Sequence, residues 1–172
     1  IRGRVIMQNE FDMTGKIALV SGASSGFGAF FSRILSQCGC KVVMGARRTD
    51  RLNQIVEEIK AKGGSATAVA LDVTDSKSVQ HAFDVAESIY GTVNIVSNNA
   101  GVADTKKACK IDEGGWNRVI DTNLKGVWLV AIEAGKRMMA AGVSGSIVNS
   151  GSILGIRVAP FNSSYCACKA GV

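Results

Sequence analysis

Tyr165 and Lys169 stand four residues apart near the end of a 172-residue chain. On a helix that spacing puts both side chains on one face, about one turn from each other. A phenol ordinarily titrates near pH 10, at about that value. An ammonium beside it favours the phenolate, so such a pair can pass protons close to neutral pH. Ser152 lies thirteen residues before Tyr165, just beyond a strand-like run. Its hydroxyl is a donor of the kind that holds a carbonyl oxygen while negative charge develops on it. Asn123 sits in Asp-Thr-Asn-Leu-Lys-Gly, in the middle of a helical pattern. Asparagine competes there for backbone groups and signals a local bend or a bound water. Each residue also has a plain structural reading: a surface Tyr and Lys, a loop serine beside Ser150, Ser163 and Ser164, and an exposed asparagine. Jointly they offer proton transfer and oxyanion stabilisation.

These residues need a scaffold, and the first third of the chain begins it. Ile17-Ala18-Leu19-Val20 is a short apolar run, Ser21 to Gly28 is a glycine-rich turn, and Ala29 to Leu35 starts a helical pattern. A buried strand, a tight turn and a helix N-terminus make an anion site, because the first-turn N–H groups point at the ligand and glycine lets the backbone approach it. The glycines Gly22, Gly26 and Gly28 are spaced G-x3-G-x-G, which differs from the G-x-G-x-x-G dinucleotide fingerprint.

Further strand-like runs at 41–46, 65–71, 93–97 and 145–150 follow the first at 16–21. They are short, β-branched and bounded by Gly, Asn or Asp, as strands buried on both faces should be. Apolar periodicity predicts helices over about 26–38, 50–62, 75–90 and 114–141, with Asp75 as a cap, and a new helix starting near Ser163-Ser164-Tyr165. Regular βαβα alternation specifies an α/β fold: a doubly wound parallel sheet with helices on both faces, Rossmann-type, in three αβα layers. Ligands in such sheets sit at the C-terminal strand ends where strand order reverses. The glycine turn, Asp72 at the end of the third strand and Asn98-Asn99-Ala100-Gly101 after the fourth all fall at such ends. Asp72 is placed to accept from an adenine amino group, or else it serves as a turn residue ahead of Thr74-Asp75.

The second strand ends in Gly45-Ala46-Arg47-Arg48. A site for the unphosphorylated nicotinamide cofactor usually places a carboxylate there for the ribose hydroxyls, whereas arginine accommodates a 2′-phosphate. Ala46 stands where that carboxylate would be, and Arg47 and Arg48 follow, so NADP(H) is favoured over NAD(H).

Composition narrows the class. Hydrophobic residues are 47% and charged residues 20%, ordinary for a globular chain. No stretch approaches the ~20 uninterrupted apolar residues of a membrane span. The net charge of +6 would suit an anionic partner, but charge runs are short and aromatics only 6%, so nucleic acid gains no specific support. Cys38, Cys40, Cys109, Cys166 and Cys168 form no C-x-x-C pair, and the single histidine, His81, lies far from them. No metal site is expected, and reduced thiols point to the cytoplasm. Residues 1–10 read as a polar N-terminal extension to one domain over 11–172. The chain begins with Ile, with Met7 and Met13 as internal start candidates, and stops inside its last helix, so at least one βα unit looks absent.

In order, Gly22-x3-Gly26-x-Gly28, Asp72-Val73, Asn98-Asn99-Ala100-Gly101, Asn123, Ser152 and Tyr165-x3-Lys169 resemble the short-chain dehydrogenase/reductase family, from about Phe11 to Val172. The glycine spacing sets the chain apart from the extended, epimerase-like relatives. The resemblance implies hydride transfer between a nicotinamide and a ketone, aldehyde or alcohol, with 3-oxoacyl thioesters among the family's substrates. It implies Tyr165 as general acid in reduction, Ser152 positioning the carbonyl, Lys169 lowering the tyrosine pKa and binding the nicotinamide ribose, and Asn123 holding a relay water. Ser24, Ser25 and Phe27 would lie with the glycines against the pyrophosphate, Asp72 and Val73 beside the adenine, and Asn99, Ala100 and Gly101 along the cofactor. Ser21 stands where the family usually has threonine, Gly151 where serine is common, and Ser25 where some NADP-preferring members carry a basic residue. Family members continue through further strands and a substrate-covering segment, and pair through the helices matching 114–141 and the one near 164. The full-length protein is therefore expected to be a homodimer or homotetramer acting on a small molecule, and the 172-residue piece to be inactive. The competing reading is a non-catalytic nucleotide-binding or interaction protein of the same fold.

Overall fold

The computed structural model describes residues 11–172. Five strands, β1 (Ile17–Ser21), β2 (Lys41–Ala46), β3 (Ser65–Ala70), β4 (Ile95–Asn98) and β5 (Ser146–Asn149), form one sheet in the order 3-2-1-4-5. Every pairing is parallel. This is the doubly wound α/β sheet read from the alternation, and the order reverses between β1 and β4. The expected strand limits held to within a residue or two. The fourth strand starts at Ile95 rather than Val93, and Asn94 instead joins strand ends: its Oδ1 accepts from Ile17 N at 2.9 Å.

Successive residues of β1 and β2 point to opposite faces, which gives two cores. Ile17, Leu19 and Val43 pack with Phe83, Val96 and Val130 on one side. Ala18, Val20, Val42 and Met44 pack with Leu52, Ile55 and Ile59 on the other. The first core is covered by α3 (Ser76–Ile89) and α5 (Gly126–Ala141), the second by α1 (Gly26–Gln37) and α2 (Thr49–Ala61). These are the three layers. β1 is buried along its whole length, as the central strand of such a sheet must be.

The helix expected over 114–141 is divided. α4 (Glu113–Ile120) passes into a π-helical turn at Asp121–Lys125 before α5 begins. A π-bulge inserts one residue into the helical ladder and marks functional sites often. Asn123 is its centre and is fully buried, so the expected bend is present and the exposed alternative is not. The last helix, α6 (Ser163–Gly171), carries Tyr165 and Lys169, and a short 3-10 turn at Ile153–Gly155 precedes it. β5 is the uncovered sheet edge: Val148 is 60% exposed. No helix among the described residues is long and apolar enough to cross a membrane. Among those residues no group of His, Cys, Asp or Glu is arranged to hold a metal ion.

Candidate active site

Three turns meet at the switch point between β1 and β4. Ser21, at the end of β1, is fully buried, and its Oγ accepts from Asn99 N at 3.0 Å and Ala100 N at 3.1 Å. Two half-buried backbone donors thereby gain partners. The hydroxyl that the sequence showed only as a replacement for threonine thus ties the glycine turn to the Asn99-Ala100-Gly101 turn. Asn98, with 2% exposure, donates through Nδ2 to Val127 O at 3.0 Å and Asn149 Oδ1 at 3.2 Å, joining β4 to α5 and β5.

The glycines of the first turn are required by space as well as by dihedral angle. A Cβ on Gly22, whose φ is +67°, would lie 2.8 Å from Ala100 Cα. One on Gly28 would strike the Gly22 carbonyl oxygen and sit 2.8 Å from Asn99 Nδ2. The helix that follows is left open at its N-terminus. Ser25 at the N-cap of α1 makes no side-chain cap bond and the first turn has no acidic residue. α3 and α4, by contrast, are closed by Asp75 and Asp112, which accept from Lys77 N and Gly115 N. An uncapped helix N-terminus over a glycine turn is fitted to a phosphate or pyrophosphate.

A cleft of about 520 Å3 opens beside it. Of the cofactor-site residues expected from sequence, Gly22, Ser24, Ser25, Phe27, Arg47, Arg48, Asp72, Val73, Asn99, Ala100 and Gly101 line this cleft. Gly26 and Gly28 shape the turn behind it. Thr122, Val102 and Leu71 also line it, and the sequence does not single them out. Their only sequence signal is adjacency, Thr122 to Asn123, Val102 to Gly101 and Leu71 to Asp72.

The basic residues divide their work. Arg48 Nη2 reaches across the glycine turn to Ser24 Oγ at 3.2 Å and Ser25 Oγ at 3.4 Å. Arg47 lies on the Asp72 side and its charge acts on that carboxyl. The Thr74 backbone N–H, donating to Asp72 Oδ1 at 3.0 Å, is the main cause that holds this carboxyl below the usual carboxylate range; partial burial opposes it. Thr74 Oγ1 donates to the same oxygen at 2.8 Å. The turn reading of Asp72 therefore describes Oδ1, while Oδ2 takes no hydrogen bond from the described residues.

Asn123 holds one wall of the cleft through Val102. Its Oδ1 accepts from Val102 N at 2.8 Å and its Nδ2 donates to Val102 O at 2.7 Å, which fixes the loop leaving β4. A primary amide retains one further donor and one further acceptor site after such a pairing. Across from it, Lys169 is 9% exposed and its Nζ donates to Ser150 O at 2.5 Å while standing 5.7 Å from the centre of the Tyr165 ring. Burial pushes the Lys169 ammonium below its ordinary range, and the neighbouring Cys168 works the other way.

Ser152 begins the 3-10 turn, its Oγ accepting from Leu154 N at 3.1 Å. The turn is pressed onto α6: a Cβ on Gly155 would lie 2.5 Å from Lys169 O. Through Lys169 Nζ on Ser150 and Gly155 on Lys169, the loop holding Ser152 and the helix holding Tyr165 are locked together at the end of β5. Such an arrangement can hold a carbonyl oxygen and exchange a proton with it.

Residues 16–172 match the short chain dehydrogenase family. The chain is 39% identical to the cis-4-hydroxycyclohexanecarboxylate dehydrogenase of Sinomonas cyclohexanicum, over 91% of this chain and 63% of that protein. It is 32% identical to the 3-oxoacyl-acyl-carrier-protein reductase of Thermotoga maritima, over 93% of this chain and 65% of that one. A metagenomic short-chain oxidoreductase solved in complex with NADP superposes with a TM-score of 0.87 at 31% identity, covering 93% of this chain and 72% of that one. The chain spans a little under two thirds of the length of the curated relatives it matches. By its sequence match, its sheet order and these likenesses, it belongs to the short chain dehydrogenase family.

Proposed function

We propose that the protein is an NADP(H)-dependent oxidoreductase that interconverts a ketone or aldehyde and the matching alcohol. The observation that carries this is the juncture at the end of β5, where Lys169 Nζ donates to Ser150 O and Gly155 rests on the Lys169 backbone, so that the loop of Ser152 meets the helix that carries Tyr165 and Lys169. The nicotinamide, when bound, supplies or accepts the hydride. Ser152 Oγ donates to the substrate oxygen, and Tyr165 gives that oxygen its proton in reduction or takes it in oxidation. Lys169 sets a positive charge against the phenol, and its remaining N–H groups are free for ribose hydroxyls. Asn123 holds the loop that closes this side, and its spare amide sites suit a relay water. Gly22, Gly26 and Gly28 with the α1 N-terminus would hold the pyrophosphate, together with Ser24, Ser25 and Phe27. Asp72 and Val73 would hold the adenine, and Asn99, Ala100 and Gly101 would contact the rest of the cofactor.

Arg48 above Ser24 and Ser25, with Arg47 beside it and Ala46 in place of a carboxylate, supports the choice of NADP(H). The likeness to an NADP-bound oxidoreductase points the same way, and the relative named as a 3-oxoacyl-acyl-carrier-protein reductase keeps 3-oxoacyl thioesters among the substrates to try. Free thiols at all five cysteines suit a reducing, cytoplasmic setting. The exposed apolar side chains Trp128, Ile132 and Met139 on α5 suit a homo-oligomer contact.

The test is kinetic. In the full-length protein Tyr165→Phe should lower kcat by about 100-fold or more while NADPH still quenches protein fluorescence as in the parent. Arg47→Ala and Arg48→Ala should each cut the preference for NADPH over NADH by about ten-fold. Turnover retained in the phenylalanine variant overturns the catalytic assignment. An unchanged cofactor ratio in both arginine variants overturns the NADP(H) assignment.

A further inference from the structure

Asp104 is 6% exposed, and its Oδ2 is enclosed without a hydrogen bond among the described residues. Carboxylates are seldom buried this far unless they are paired. Its counter-charges are exposed side chains: Lys106 Nζ stands 3.2 Å away and Arg118 Nη2, on α4, 3.5 Å away. α4 makes room for the carboxylate at Gly115, where a Cβ would lie 2.6 Å from Oδ2. The two cations already have an exposed acid. The Gly115 N–H chiefly, then Lys106 and Arg118, hold the Asp112 carboxyl below the usual carboxylate range. Burying a second carboxylate beside them adds a desolvation cost that neutralising the cations does not require. Such burial is explained when it fixes one conformation.

That conformation belongs to the loop leaving β4, and Asp104 lies between the loop's two clamps. Asn123 holds Val102 at the cleft wall. Lys106 N donates to Phe161 O at 3.0 Å, and Asn162 alone separates Phe161 from the start of α6 at Ser163. Phe161 has φ +65°, the one positive value for a non-glycine residue among the described residues. A bulky side chain is strained there, and such strain persists only while the surrounding structure holds it. We infer that Asp104 is a positioning residue: held to α4 through Arg118, it keeps Lys106 on Phe161 and so sets the start of α6, and with it Tyr165, against the cofactor cleft. This rests on the oxidoreductase reading above and adds a residue to its machinery. A phenol displaced by about 1 Å from its reacting geometry costs up to about 100-fold in rate.

The experiment reads amide exchange and turnover in the full-length protein. Asp104→Asn keeps the size of the side chain and removes its charge. Deuterium exchange should become about ten-fold faster or more at the Lys106 N–H and at the Cys166 N–H, which donates to Asn162 O in the first turn of α6. Exchange at the Val102 N–H, held by Asn123, should stay level. With NADPH and either 4-methylcyclohexanone or acetoacetyl-coenzyme A, kcat should fall by about ten-fold or more, with the KM for NADPH changed less than about two-fold. Arg118→Met, which leaves Asp104 in place, should move both readouts the same way and serves if the asparagine variant does not fold. Adding Phe161→Gly, or Phe161→Asn, which takes the same backbone with little strain, should restore slow exchange at Lys106 and most of kcat. Unchanged exchange, exchange that quickens throughout the chain, faster local exchange with unchanged kcat, or no restoration in either Phe161 variant overturns the inference. If exchange responds as expected but the unmodified protein turns over neither ketone with NADPH or NADH, the oxidoreductase reading falls, and Asp104 remains the residue that sets the start of α6.

Discussion

Burial pushes the Lys169 ammonium below its ordinary range because α6 holds it against the Ser150 carbonyl, away from most water. Its folded value lies below its unfolded one, so between the two values the unfolded chain binds the extra proton and stability rises with pH. The load on the fold is therefore full below the lowered folded value and disappears as pH climbs toward the unfolded value of about 10.4. Lys169→Met should leave the urea midpoint at pH 7 equal to that of the parent or higher, with the advantage shrinking toward pH 10, while turnover is lost. A lower midpoint at pH 7 would show that the Ser150 hydrogen bond outweighs the burial of charge. Asp72 gives the same direction of pH dependence but favours the fold instead of loading it. Its depressed carboxyl contributes stability that is present above about pH 4 and is lost as pH falls through the folded value. At this scale the sequence showed which residue types were present and left their duties open. Asn123 and Ser21 each hold backbone groups that lie far away in the chain, at Val102 and at Asn99 and Ala100, whereas Asp72 accepts from Thr74 only two residues on.

Among the elements, the π-bulge could not be read from periodicity. Apolar spacing continues across 114–141, and one inserted residue shifts the pattern by less than the width of a helix face. Asn123, a poor residue for a helix interior, was the local signal of it. α3 and α5 are coupled through Arg137, whose Nε, Nη1 and Nη2 reach Glu133, Glu87 and Asp84 at 2.7 Å each, with the guanidinium 5.6 Å from the Phe83 ring centre. Partial burial works against its charge, but hydrogen bonds from the guanidinium to Glu133 and Asp84, with Glu87 beside them, hold its proton more firmly than usual. Removing the cation leaves three carboxylates facing one another. Arg137→Met should cost about 1–3 kcal/mol in denaturant unfolding at neutral pH, between the values for exposed and buried ion pairs. The loss should shrink as pH falls toward about 4, where the carboxyls take up protons. A loss that does not change with pH would mean that packing against Phe83, rather than charge, is what Arg137 supplies.

For the whole molecule, the two cores differ in how they end. The β3 side of the sheet is closed by α2 and α3, whereas the β5 side presents Ile147 and Val148 along an edge strand. An exposed apolar edge is a template for pairing with another chain. Val148→Lys should reduce concentration-dependent light scattering by the 172-residue chain and shift its stability by no more than ~0.5 kcal/mol, since the side chain is in water already. Scattering that is unchanged in this variant would move the association surface elsewhere, with the exposed face of α5 around Trp128, Ile132 and Met139 the next to alter.

The sequence by itself determined the alternation of elements, the parallel sheet and the glycine turn, because these follow from local periodicity and from dihedral needs that few residues meet. It also placed Ser152, Tyr165 and Lys169 within seventeen positions of each other, on the end of one strand and the start of one helix. Only the tertiary structure decided that Lys169 would reach Ser150, that Gly155 would seat the serine loop on the helix, and that Arg48 would cross to Ser24 and Ser25. Those contacts depend on which strand lies beside which and on a close approach of backbones, and neither is encoded in any short window of residues.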